Sequence, residues 1–336
     1  LFFIYFSVQK YLRTNSQREF TGKLFLFGTI PVIFSCFSQY FFKWYGPYEA
    51  LNGLIVWFQL PLTEMNQPVS GLFNNPNYTG VWLSTIWPFS LAALNKVKKE
   101  ENFLKFFIIF LICVLFIFCL NLINSRGAWL GILISLPIIY GRKTFIWLIP
   151  ILLLSSILIF LAISQNSPES IQEYIRFLIP DNILSNFSDL KISYENMPRL
   201  LIWKHSIDLI LQKPLWGWGA ASFPLIYLKE IGIWKGHPHN LFFELSISYG
   251  ALCSLFIFLF FSTIIIKSLI KLDKEKELNN NNFEKAWIAA ALISLALQFF
   301  DITYFDWRIS IIIWVLLAGL NGLIKTNSKI DCRSKI

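Results

Sequence analysis

The chain has 336 residues, of which 55% are hydrophobic and only 15% charged, and its mean hydropathy is +0.56. A soluble domain carries about a quarter charged residues, so this balance excludes one. The net charge of +9 does not point to nucleic acid, because Lys and Arg are spread through short segments beside apolar runs rather than gathered in one basic patch.

Several apolar runs approach the roughly 20 residues that a helix needs to cross a bilayer. They predict an all-α, polytopic membrane protein and argue against a β-barrel, whose strands alternate over short segments. Residues 1–8 read as the end of a truncated spanning helix. About eight complete spans follow, at 24–42, 78–94, 103–123, 128–140, 145–163, 241–266, 287–300 and 309–324. The segment 43–77 is mixed, with an apolar centre too short to cross. The run 128–140 is short for a span, at about 1.5 Å per residue. Three units result: N-terminal transmembrane helices over 1–163, a long polar loop over 164–240, and C-terminal helices with a tail over 241–336. Four of the five cysteines lie in apolar runs and Cys332 lies in the tail, so the loop has no disulfide framework. No internal repeat is visible, which weakens a reading as an inverted-repeat transporter.

Counting basic residues orients the chain. With the Lys10–Lys23 segment inside and strict alternation, the inside short segments carry 18 Lys and Arg and the outside ones carry 3. That asymmetry is what the positive-inside rule demands. The 164–240 loop, with seven basic and seven acidic residues, then lies outside together with Arg126, Asp301, Asp306 and Arg308. In a bacterium this face of the inner membrane is the periplasm.

The polar residues worth testing gather on that face. Arg126 sits between two apolar runs, either reaching for lipid headgroups or holding an anion at the start of the next helix. Arg199 follows Pro198 and opens a helical pattern through Leu201, Ile202, His205 and Leu209. It either decorates an amphipathic helix or joins Arg126 as a clamp, since guanidinium groups bind phosphate oxygens bidentately. Lys204 and His205 lie on or beside the same surface, with His205 read as structural. Pro214-Leu215-Trp216-Gly217-Trp218-Gly219 reads as a helix stop and a turn with close backbone approach. Its tryptophans, Trp216 and Trp218, suit a membrane interface, or stacking on sugar rings. In His237-Pro238-His239-Asn240 a histidine can take a proton from an attacking hydroxyl. Two histidines at i, i+2 suit a metal as well, but no third ligand is evident, and no metal or other cofactor is expected. Asn240 is a cap for the helix that follows, and Glu244 can orient a histidine or complement that helix's N-terminus. Phe73-Asn74-Asn75-Pro76-Asn77 reads as a turn with Asn caps leading into a helix.

With these segments in this order, the chain resembles the O-antigen ligase superfamily over roughly residues 70–322. That superfamily includes ligases that join lipid-carried polysaccharide to lipid A-core, related polymerases, and O-linking protein oligosaccharyltransferases. The resemblance implies a metal-independent, inverting glycosyl transfer from an undecaprenyl-diphosphate-linked glycan to a hydroxyl on a lipid or glycan acceptor. It also implies a multi-pass protein in the inner membrane whose active face is periplasmic. Arg126 and Arg199 would hold the diphosphate, and His239, or less readily His237, would be the base. Lys204, Trp218, Asn240, Glu244 and Asn77 would support them. The rivals are a membrane transporter of inorganic-carbon type, within the superfamily a polymerase or protein glycosyltransferase, and an inactive scaffold.

Overall fold

The computed structural model describes residues 1–53, 55–57, 61–62, 67–73, 75–164, 167–178, 198–275, 278 and 280–326. Among them are thirteen helices. They are α1 (Phe2–Tyr11), α2 (Asn15–Phe42), α3 (Pro76–Lys99), α4 (Phe103–Ile123), α5 (Arg126–Tyr140), α6 (Thr144–Ile163), α7 (Glu169–Leu178), α8 (Pro198–Gln212), α9 (Phe223–Ile231), α10 (Leu241–Tyr249), α11 (Ala251–Lys274), α12 (Asn282–Leu297) and α13 (Trp307–Lys325). The mixed segment 43–77 contributes a small antiparallel hairpin, β1 (Tyr48–Ala50) and β2 (Ile55–Trp57), with Tyr48 opposite Trp57.

Five helices, α2, α4, α6, α11 and α13, are long and apolar enough to cross a membrane. Apart from the small hairpin the described elements are helices, and the protein is a multi-pass helical membrane protein. The other expected spans are the packed centre. α3 is almost wholly buried and rests on α2, α4, α5 and α12. Its small and polar residues suit helix packing better than lipid contact. Gly80 lies against Ser125 and Ala128 at the start of α5, where an added Cβ would come within 3.1 Å of both side chains. α6, by contrast, exposes most of its side chains, as a lipid-facing helix does.

The structure departs from the expected element list in two places. The span 241–266 is broken at Gly250, whose φ of 92° takes it out of the helix, so α10 and α11 are separate. The 164–240 loop is also largely helical where described, through α7, α8 and α9.

At one end of α12 a charged pair is sealed in the bundle. Arg18, near the start of α2, donates from Nε and Nη2 to Glu284 at 2.8–3.0 Å, and both side chains are 1% exposed. Arg18 Nη1 also donates to the Leu12 and Arg13 carbonyls, each at 3.0 Å. The other end of α12 leads to the candidate site.

Candidate functional site

The His-Pro-His-Asn segment is held from three sides. Trp203 Nε1, on α8, donates to the Pro238 carbonyl at 3.0 Å. Asn240 caps α10, its Oδ1 accepting the Phe242 and Phe243 N–H groups at 2.9 and 3.3 Å. This is the local role that an Asn before an apolar helix predicts. Asn240 Nδ2 donates to the Phe299 carbonyl and the Leu241 N–H to the Gln298 carbonyl, tying the segment to the end of α12. His239 itself has φ 55°, a left-handed conformation uncommon for a non-glycine residue. Its N–H donates to His237 Nδ1 at 3.2 Å.

That end of α12 brings in Asp301. His239 Nδ1 lies 3.2 Å from Asp301 Oδ1, and His237 Nε2 lies 3.8 Å from the same oxygen. Only the first distance is within hydrogen-bond range. Asp301 Oδ1 also accepts the Ile302 N–H, and Oδ2 accepts Asn77 Nδ2 at 2.8 Å. Asn77 Oδ1 in turn accepts from Ser125 Oγ at 3.1 Å. Four chain segments, far apart in sequence, thus meet in one network: His239, Asp301, Asn77 and Ser125.

The electrostatics follow from this network. Burial alone would raise the Asp301 carboxyl, but the His239 hydrogen bond, the charges of both histidines and the Ile302 N–H outweigh it and hold the group below the usual carboxylate range. Burial lowers His237, and the charges of His239 and Arg199 act in the same sense against Asp301. An ionised Asp301 can only accept, so it selects the His239 tautomer protonated at Nδ1 and leaves Nε2 as the basic nitrogen.

Beside the network is a cavity of about 190 Å³, lined by Asn77, Ser125, Arg126, Gly127, Arg199 and Asp301 among others. The two arginines singled out in the sequence therefore share one cavity. Ser125 is the N-cap residue of α5, but its hydroxyl makes no capping bond and serves Asn77 instead. The first N–H groups of α5, with Arg126 at its start, give this wall a positive character suited to an anion.

The remaining expected residues divide. Asn75 caps α3, accepting the Asn77 N–H at 2.8 Å, as the motif predicts; Asn74 lies outside the described residues. Lys204 is exposed on α8. His205 faces Glu230 at 3.3 Å and packs edge-on against Tyr227, a structural setting. Trp218 turns inward, its Nε1 donating to the Leu209 carbonyl at 2.9 Å. Glu244 does not orient a histidine: it is buried in the first turn of α10 and accepts from Ser248 at 3.2 Å. Asp301 does that work instead. Arg308 turns away from the cavity to Asp306 and the Leu72 carbonyl.

Asp301 also corrects the expectation that the two histidines lack a third metal ligand. His237, His239 and Asp301 place one ligand atom each within 4.8 Å of one another, a donor set that can hold a divalent ion. Its signal in the sequence was faint: an acid in an apolar setting, assigned by charge counting to the same face as the histidines.

No curated protein and no solved structure gives a significant match to the chain. Residues 111–272, a stretch reaching from within α4 to near the end of α11, match the family model described as O-antigen ligase. Arg126, Arg199, His237 and His239 fall inside it, and over that stretch the chain is similar to the O-antigen ligase family.

Proposed function

We propose that the protein is a glycosyltransferase of the O-antigen ligase type, acting at the periplasmic face of the bacterial inner membrane. The family match supports an enzyme of lipid-linked glycans in general. The donor in this reading is an undecaprenyl-diphosphate glycan, and the acceptor is a hydroxyl on lipid A-core or on a growing polysaccharide. The observation that carries it is the cavity shared by Arg126, Arg199 and Asp301, with the His239–Asp301 pair at its edge.

The chemistry is short. The acceptor oxygen attacks the anomeric carbon from the face opposite the diphosphate, the bond from that carbon to the diphosphate oxygen breaks, and the configuration inverts. The acceptor proton passes to His239 Nε2, and Asp301 stabilises the resulting imidazolium. The charge that develops on the departing diphosphate is met by Arg126, Arg199 and the α5 N-terminus. Asn77 and Ser125 position Asp301 and the α5 start. In this reading the 164–240 unit supplies Arg199 and His239, while Asn77, Ser125, Arg126 and Asp301 come from the helices around it.

The test is transfer in vitro with purified protein and lipid-linked glycan. Arg126→Ala, Arg199→Ala and His239→Ala should each lose transfer while the protein stays folded. Full activity in His239→Ala and Arg199→Ala would refute the assigned roles. In a deletion strain, loss of surface polymer with accumulation of the lipid-linked glycan is expected, and the length of that glycan separates ligase from polymerase. Unchanged glycolipids would turn the reading toward transport or protein glycosylation.

A further inference from the structure

A second feature lies at the far end of α8 from Arg199. There the chain turns sharply through Pro214-Leu215-Trp216 and is pinned to the break between α10 and α11. The Ala251 N–H donates to the Pro214 carbonyl at 2.8 Å, the Trp218 N–H to Ile247 at 2.6 Å and the Gly219 N–H to Ser248 at 3.1 Å. The approach requires glycine on both sides. At Gly217 an added Cβ would lie 2.5 Å from the Ile247 carbonyl oxygen, and at Gly250 it would overlap the Leu215 carbonyl. Both have positive φ. The turn is therefore held in place rather than free to fold its side chains away.

On this pinned turn Leu215 is 57% and Trp216 86% exposed, while the neighbouring Trp218 is turned inward. What covers the pair is indicated by what they are pinned to. α11 starts at Ala251 and is one of the helices able to span a membrane. Its opening turns expose Leu252, Leu255 and Phe256, and Tyr249 just before it is exposed too. The tip thus continues the lipid-facing surface of α11 at the level where that helix begins. Tryptophan is favoured at that depth, where one ring meets both acyl chain and water.

We propose that Leu215 and Trp216 insert into the headgroup–acyl boundary of the bilayer and anchor the C-terminal end of α8. The bilayer lipid is the partner. α8 has 15 residues, about 22 Å, and carries Arg199 at its other end. On the transfer reading above, the anchor would set the depth at which Arg199 meets a membrane-borne diphosphate.

The test uses the full chain in phosphatidylethanolamine–phosphatidylglycerol vesicles, with the emission of Trp216→Phe subtracted from that of wild type; Trp216→Tyr serves as a second reference. The difference emission should be blue-shifted, quenched by lipids brominated near the top of their acyl chains, and shielded from aqueous acrylamide. Acrylamide quenching with no effect of the lipid bromines would overturn the proposal. So would a blue-shifted emission insensitive to both quenchers, which would mean that protein covers the tip. As a second arm, Trp216→Asp should raise KM for the lipid-linked donor several-fold in vesicles and leave kcat little changed. An unchanged KM would refute the link to Arg199. If wild type shows no transfer, the transferase reading fails, but the quenching experiment still decides the anchor.

Discussion

The two ends of α12 each place an acid among basic side chains, and they do so in opposite ways. At the start, Glu284 is gripped by Arg18 with both partners 1% exposed, and Arg18 also serves two backbone carbonyls. Just past the other end, Asp301 meets two histidines that are each 30% exposed, and it lines a cavity shared with two arginines. The first cluster is closed on itself and joins the N-terminal turn, α2 and α12. The second spends its hydrogen bonds on aiming groups toward open space. A buried ion pair by itself is weak evidence for stability, yet removing one partner leaves an uncompensated charge. On the proposed function, the contrast predicts that loss of the first cluster destabilises the protein and loss of the second lowers transfer.

The largest expected effect is on activity. His239→Ala should lower the transfer rate by about 10²–10⁴-fold, the usual contribution of a general base, with little change in the unfolding midpoint. Next comes Arg18→Ala, which leaves Glu284 buried without its arginine and should cost about 3–5 kcal/mol of stability, read as a lowered midpoint in thermal or denaturant unfolding of the purified protein. If His239→Ala unfolds the chain and Arg18→Ala is stable but inactive, the contrast is inverted.

A smaller effect sharpens the picture at Asp301. Its carboxyl is held below its unfolded value, so its contribution to stability is present above that unfolded value and fades as the pH falls through the folded one. Asp301→Asn should remove this acid-side fall from a plot of unfolding midpoint against pH, and should slow transfer less than His239→Ala does. An unchanged acid limb would mean that another carboxylate dominates it. The smallest effect is expected from chelation: EDTA should leave the transfer rate unchanged. Loss of activity on chelation, restored by a divalent ion, would instead make His237, His239 and Asp301 a metal centre.

Most of the helical layout was readable from apolar runs, because a membrane span needs a length that few other segments reach. The caps at Asn75 and Asn240 were readable as well, since a side chain that serves an N–H two or three residues on depends only on local sequence. The tight approach expected at Pro214–Gly219 is there, but its partner across Gly250 was not visible, because the run 241–266 is apolar on both sides of the break.

The residue types, their order and their common face were set by the sequence. So were the helix starts at Asn75 and Asn240 and the position of Arg126 between two apolar runs, beside the start of the second. All of these follow from hydropathy and from contacts within one helical turn. The network was not readable in this way. Asp301 reaches His239 across 62 residues and Asn77 across 224, while Arg18 finds Glu284 across 266. The Asn77 pair arises from the packing of α3 against α12, the Arg18 pair from α2 against α12, and the His239 pair from the docking of the histidine segment on the end of α12. No local rule reports which of several acids on a face will be carried to the histidine, because that choice is made by how the helices pack.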